Sequence, residues 1–248
     1  ICLSAEAHLL SGDVDQASAL FAESTAAAAA VRNPSVIAVS ESELALLAMD
    51  GGRWPEAAGH VEAALAVVDE VRMQDYATSL LAFAAAARLA VHRGDMKGAN
   101  RELTRAMRAR PTLTFAFPFL AVRLRLQLAR VYWAIADYSA ARHLLREIDD
   151  ILLHRPALGT LGQEVSEFRR IVTSNAKGGP AGGSPLTPAE LRLLPYLQTH
   201  LTMGEIGERL FVSRNTVSSQ VTSIYRELGV SSRNDAVTQA TTAGLLGG

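Results

Sequence analysis

TMGEIGERLFVSRNTVSSQVTSIYREL, residues 202–228, decides how the end of this chain folds. Thr202 offers the short hydroxyl of a helix N-cap, and Glu205 follows at the spacing that lets a carboxylate reach back to the cap N–H. A helix over Met203–Leu210 is predicted, with Ile206 and Leu210 inward and the small Gly207 beside them. Phe211-Val212-Ser213 makes a tight turn, and Ser213 caps a longer helix, Arg214–Leu228. At 100° per residue, Val217, Val221, Ile224 and Leu228 fall within about 60° of each other. The opposite face carries Asn215, Ser219, Thr222 and Arg226, flanked by Ser218 and Ser223.

Working outward, Thr187-Pro188-Ala189-Glu190 is a second start signal, with Thr as cap, Pro in the first turn and Glu three residues after the cap. Leu191, Leu194 and Leu197 then give one apolar stripe. Ser232 and Asp235 form another cap pair, opening a final helix to about Leu246. Residues 186–248 thus read as four short helices, the middle two in helix-turn-helix geometry, where Gly207 permits a close crossing. Their five arginines (192, 209, 214, 226, 233) are matched by five acids. Because phosphate neutralisation supplies much of DNA affinity, one such domain alone should bind weakly.

Upstream, residues 176–185 read AKGGPAGGSP, which cannot hold a helix and is expected to be a flexible linker. Before it, over residues 1–175, alanine is abundant and no strand alternation persists, so helix is the consistent reading. A phrase recurs: Ser11-Gly12-Asp13 to Ala17, Gly51-Gly52-Arg53 to Ala57, Arg93-Gly94-Asp95 to Ala99, and Ile135-Ala136-Asp137 to Ala141. The starts lie 40, 42 and 42 residues apart. Such a phrase ends one helix in the left-handed conformation and opens the next, while the alanine lets the pair approach closely. Hairpins of this kind stack to bury their apolar faces. The pattern resembles tetratricopeptide repeats with lengthened helices, although an antiparallel bundle would also produce it. A further amphipathic segment, about Thr160–Asn175, would cap the last apolar face. The expected fold is all-α: a tetratricopeptide-like helical-repeat domain (1–175), a linker (176–185) and a four-helix domain (186–248).

The bulk numbers agree with a globular, core-rich chain: 248 residues, 49% hydrophobic, 20% charged, formal net charge −1. The single cysteine, Cys2, cannot form an internal disulfide, and no Cys/His cluster has metal-ligand spacing. No apolar run is long enough for a membrane span, and no leader peptide is evident. The chain begins at Ile1, within a helical pattern, and reads as the C-terminal part of a longer cytoplasmic protein. No nucleophile–base pair, metal cluster or phosphate loop emerges, so no catalytic residue, metal or cofactor is assigned and the chain is expected not to be an enzyme.

Four stretches, Leu186–Glu190, Glu205–Ser213, Thr216-Val217 and Leu228–Arg233, lie in order and at the spacing of a family: this end resembles the LuxR-type C-terminal domain of bacterial transcription regulators. The resemblance implies that the helix over 214–228 enters the major groove and that the fourth helix supports dimerisation. It implies base-edge contacts from Ser218, Ser219 and Thr222, with Asn215, Thr216 and Arg226 on phosphates and Arg214 in the same DNA-binding set. Two departures bear on this. Relatives often carry Lys or Arg where Ser218 or Thr222 stand, and His where Gln220 stands. The implied partners are double-stranded DNA and a second copy, as a homodimer or higher oligomer on DNA.

The pairing of this domain with helical repeats resembles the maltose-activator-like, large ATP-binding LuxR regulators. That resemblance implies an array that senses or relays a signal from an unknown effector. It also implies an upstream nucleotide-binding module, since no G-x-x-x-x-G-K-[ST] segment occurs in the chain. Residues 88–146 hold twelve Lys/Arg against three acids. Arg101, Arg105 and Arg108 share one helix face there, readable as a partner-docking surface or as an ordinary solvated face. Trp54, Trp133, Tyr132, Phe115, Phe117 and Phe119 read as core or groove-lining, and the irregular Thr112–Phe117 segment as the border of an effector pocket. His60, His92 and His143 stand alone on their helices and read as non-ligands. The alternative to a regulator is an interaction scaffold whose C-terminal domain mainly dimerises.

Overall fold

The computed structural model describes residues 1–177, 186, 188–212 and 214–246. Among these the regular structure is helical throughout, with no strand. Among the described residues no helix is long and apolar enough to cross a membrane. The chain packs as two compact units, one of Ile1–Val131 with Leu144–Glu167, the other of Tyr132–His143 with Phe168–Gly248. Most of the expected linker, and the caps expected from Thr187 and Ser213, lie outside the described residues.

The first unit is built from hairpins: α1 (Cys2–Ser11) with α2 (Val14–Ala30), α3 (Pro34–Asp50) with α4 (Trp54–Glu70), and α5 (Leu80–His92) with α6 (Met96–Ala109). Each turn reuses one backbone solution. Gly12, Gly52 and Gly94 sit at φ 88, 73 and 73, where only glycine avoids a steric cost. Asp13 and Asp95 then accept hydrogen bonds from the N–H groups of Gln16 and Gly98, at 3.2 and 2.9 Å. Arg53 lacks that capping bond and instead pairs with Glu56 at 2.8 Å. The phrase-ending alanines, Ala17, Ala57 and Ala99, have no exposed surface, so a larger side chain would push the paired helices apart.

The inner helices are buried on nearly every side. All residues from Ala38 to Met49 of α3 are out of solvent, polar ones included. Each polar group there needs a partner. Ser42 donates to the Ala38 carbonyl, and Glu41 meets His60 at 2.7 Å. Glu43 meets Arg123 of α7 (Pro118–Ala134). The start of α9 (Gly159–Lys177) returns to the first hairpin, where Thr160 Oγ1 donates to the Leu9 carbonyl at 2.8 Å. Trp54 stacks on His92 with ring centres 3.6 Å apart.

Between α6 and α7 the chain leaves the hairpin rule, over the Thr112–Phe117 segment expected to be irregular. A 3-10 turn over Arg110–Thr112 leads into a segment in which Leu113 is buried but Phe115 and Phe117 are exposed. Phe115 stacks on His154 at 4.7 Å beside a shallow pocket of about 320 Å³. Two arginines there, Arg110 and Arg125, share Glu147 at 3.1 and 2.8 Å.

In the second unit, the end of α7 turns into α8 (Tyr138–His154) through the fourth copy of the phrase. Ala136 takes the left-handed position, at φ 61, and Asp137 Oδ1 accepts from the Ala140 N–H at 3.1 Å. Trp133 packs on Tyr138 and meets Phe168 edge-on. The C-terminal helices are α10 (Pro188–Leu193), α11 (Met203–Leu210), α12 (Arg214–Leu228) and α13 (Arg233–Thr242). A 3-10 turn, Leu194–Gln198, extends α10, so Leu194 and Leu197 reach the core from a tighter spiral than the predicted α-helix. Their shared core includes Leu193, Ile206, Val217, Val221, Ile224 and Ala236. The last helix stops at Thr242, short of the predicted Leu246, yet the Leu246 side chain still folds back into this core.

Candidate nucleic-acid interface

The first helix of the pair, α11, is fixed at its start by a complete capping box. The Glu205 N–H donates to Thr202 Oγ1 at 3.3 Å, and the Glu205 carboxylate accepts from the Thr202 N–H at 2.8 Å. Those bonds hold the Glu205 carboxyl below the usual carboxylate range. Its other end closes on Phe211 in the left-handed conformation, and the Val212 N–H returns to the Gly207 carbonyl at 2.9 Å. Gly207 itself is buried.

The orientation of α12 follows from its apolar stripe. Val217 and Ile224 have no exposed surface and Val221 almost none, so rotation about the helix axis would expose core. That constraint turns Asn215, Ser219, Thr222 and Arg226 to solvent as one row, spaced four, three and four residues apart, with Arg214 exposed at the helix start. Ser218 is half-buried at the edge of the row and its carbonyl accepts from Thr222 Oγ1 at 3.0 Å. Arg226 Nη2 donates to Ser223 Oγ at 3.2 Å.

Thr216, predicted for a phosphate, is placed differently. It is 7% exposed, and Gln220 and Ser223 on the same side are buried as well. Asp137, itself 1% exposed, lies against this side: Thr216 and Gln220 direct their side chains at its carboxyl group. Burial pushes the Asp137 carboxyl up, and the surrounding donors only partly oppose it. Its Oδ1 holds Ala140 N–H and Ser139 Oγ, whereas Oδ2 has no partner at hydrogen-bonding distance and angle. Farther along α12, Glu227 is raised by burial and by nearby Glu190, against the charges of Arg226 and Arg142. A buried polar stripe has no signature in sequence, because Thr, Gln and Ser on a helix ordinarily face water.

Arg233 is used by the folding itself. Its guanidinium donates to four carbonyls, Tyr196, Leu197, Thr199 and Leu201, at 2.7 to 3.0 Å. The outward row of α13 is polar, with Thr238, Thr241 and Thr242 each donating to a carbonyl one turn back.

In the first unit, the arginines of the predicted docking face are all met by acids. Arg101 pairs with Glu102 at 2.7 Å, and Arg105 bridges Glu102 and Asp69 at 3.0 and 2.9 Å while lying over the Phe83 ring. Arg108 pairs with Asp75.

Comparison with known proteins agrees with this geometry. Residues 184–240 match the family described as GerE, bacterial regulatory proteins, luxR family. Two mycobacterial proteins named as putative HTH-type transcriptional regulators, from Mycobacterium bovis and Mycobacterium tuberculosis, are each 31% identical over 132 residues. The matched stretch spans 50% of this chain and only 15% of each relative. No solved structure matches. The four helices that close this chain are therefore a LuxR-type helix-turn-helix domain.

Proposed function

We propose that this chain is a sequence-specific DNA-binding transcription regulator that reads operator DNA with α12. The observation that carries the reading is the solvent-facing row Asn215, Ser219, Thr222 and Arg226 on a helix whose rotation the apolar core fixes. In the major groove, Ser218, Ser219 and Thr222 would exchange hydrogen bonds with base edges, a hydroxyl being able to donate or accept. Arg214, Asn215 and Arg226 would hold phosphates and set register. Thr216 joins them only where its side of the helix is uncovered. With acids balancing arginines in this domain, two copies on paired half-sites supply the phosphate contacts one copy lacks.

The hairpins of the first unit would relay a signal to this domain, with an effector held in the shallow pocket beside Phe115 and His154 and a nucleotide-binding module upstream. Pairing of Arg105 and Arg108 with Asp69 and Asp75 favours a role for those two in tying neighbouring hairpins together over one in docking, while Arg101 pairs with Glu102 of its own helix. The polar outward row of α13 offers no apolar seam to a domain that mainly dimerises, so the scaffold reading gains no support from it.

The test is selection of duplexes from a random pool by the 248-residue chain, repeated with Ser219→Ala/Thr222→Ala. The double variant should lose about 10-fold or more in preference for the selected site while changing non-specific affinity little. An unchanged preference would move base reading off α12. Absence of any duplex binding at low salt would favour the scaffold.

A further inference from the structure

Two stripes of α12 are out of solvent, and the domain's own core accounts for one of them. Val217, Val221 and Ile224 fill that core. The second stripe, turned about 90° around the helix, is Thr216, Gln220 and Ser223, at 7%, 4% and 5% exposure. Polar side chains gain nothing by leaving water unless another polar group meets them. For Thr216 and Gln220 that group lies in the turn between α7 and α8, which belongs to the same compact unit, whereas Ser223 Oγ meets Arg226 and Glu227 of its own helix. Asp137 is buried against Thr216 and Gln220, and Arg142, on the second turn of α8, acts electrostatically on Glu227.

We propose that the α7–α8 turn is a cover on the DNA-reading helix, in which the Asp137 carboxylate occupies the place of a backbone phosphate beside Thr216 and Gln220, so that the turn and duplex DNA compete for one side of α12. This inference rests on α12 being the reading helix and states how access to it is regulated.

The chemistry of the two competitors matches. Carboxylate and phosphate are both anionic oxygen acceptors, and both suit hydroxyl and amide donors near the positive end of a 15-residue helix. They cannot share the site, since two anions in contact repel. The cover is also built to leave. Asp137 Oδ2 is buried without a hydrogen-bond partner, so part of the contact is unsatisfied and opening recovers its solvation. Asp137 keeps its other task when the cover lifts, because Oδ1 remains the N-cap of α8.

The same position in the preceding hairpin supplies the control. Asp95 caps α6 as Asp137 caps α8, but belongs to the first unit. Serine retains capping at either position while removing the charge. A reporter thiol is placed on the covered stripe as Ser223→Cys, with Gln220→Cys as a second reporter, in a Cys2→Ser background that removes the chain's single native cysteine. The probes are a fluorescent maleimide and a mixed-sequence duplex of about 30 base pairs at low salt.

The reporter should label slowly in the parent chain. Asp137→Ser should raise the labelling rate by about 5-fold or more and tighten duplex binding by a similar factor. Asp95→Ser should change neither. Equal labelling with and without Asp137→Ser overturns the cover. Faster labelling with unchanged duplex affinity overturns the competition with DNA. If neither parent nor variant binds any duplex, the DNA-reading role of α12 falls and the competition with it, while the labelling rate still reports whether the turn covers the stripe.

Discussion

Arg123 and Glu43 stand 80 residues apart in sequence and meet with both side chains out of water, the guanidinium Nε and Nη2 lying 3.1 and 3.0 Å from Glu43 Oε2. Burial pushes the Glu43 carboxyl up, and the neighbouring Arg123 charge pulls it back down. Arg123 also reaches Glu164 at 3.4 Å, and Glu164 holds Arg130 at 3.0 Å. A buried ion pair gains little over apolar packing, yet an unpartnered buried charge is expensive. Glu43→Leu alone should therefore cost about 3–5 kcal/mol in urea unfolding. Glu43→Leu/Arg123→Met should cost far less than the sum of its parts. Additive losses would mean that the two side chains act independently.

The four-fold turn phrase makes a prediction from within the chain. Gly12, Gly52 and Gly94 hold its left-handed position, and Ala136 holds it in the fourth copy at φ 61. Alanine there costs about 1–2 kcal/mol of steric strain, of which the greater freedom of unfolded glycine offsets part. Ala136→Gly should raise stability by about 0.5–1 kcal/mol, and Gly94→Ala should lower it similarly. Thermal unfolding of the two variants checks the pair. Loss of stability in Ala136→Gly would show that the alanine methyl makes contacts worth more than the strain.

Glu6 of α1 makes stability depend on pH near neutrality. Burial, aided by the Glu43 charge, raises its pKa from 4.5 to about 7. An acid with a raised folded pKa binds more protons folded than unfolded between those values. Its contribution to stability is therefore greatest at low pH and falls as pH rises from about 4.5 through about 7. Because Glu6 is partly exposed, solvent screening reduces the loss to the order of 1 kcal/mol. Glu6→Gln should flatten the unfolding free energy over that window. A slope that survives the substitution would belong to another group.

The features legible in the sequence were those set by local chemistry. Thr202 with Glu205 placed the start of α11, and the Val217–Val221–Ile224 spacing oriented α12, because caps and helical periodicity need no tertiary information. The glycines at 12, 52 and 94 marked their turns for the same reason. What the sequence hid depends on distant partners. Ser40, Glu41, Ser42 and Glu43 look like a solvated patch, yet they lie inside because His60 and Arg123 reach them from other helices. Thr216 and Gln220 look like a wet face until Asp137, some eighty residues upstream, is placed against them. Arg233 resembles a phosphate ligand by charge alone, and its four carbonyl partners come from a loop more than thirty residues away.

That last contrast yields a separable prediction for two arginines of one domain. Arg233 spreads its fork over the Tyr196, Leu197, Thr199 and Leu201 carbonyls, joining the start of α13 to the loop before α11. Lysine offers a compact ammonium in place of a planar fork and cannot reach all four. Arg233→Lys should lower the stability of the C-terminal helices by about 1–2 kcal/mol, and Arg233→Ala by about 3, since carbonyls satisfied by a charged donor are left unpaired. Arg226 is exposed and its described bond is to Ser223 Oγ, so Arg226→Ala should stay within about 0.5 kcal/mol of the parent. For DNA the order reverses. Arg226→Ala should reduce the slope of log affinity against log salt by about 1, the signature of one lost phosphate contact. Arg233→Ala, measured below its unfolding transition, should keep the parent slope. Unfolding curves and duplex titrations at several salt concentrations decide between them. A reduced slope in Arg233→Ala with unchanged stability would mean that this guanidinium leaves its carbonyls for the DNA backbone.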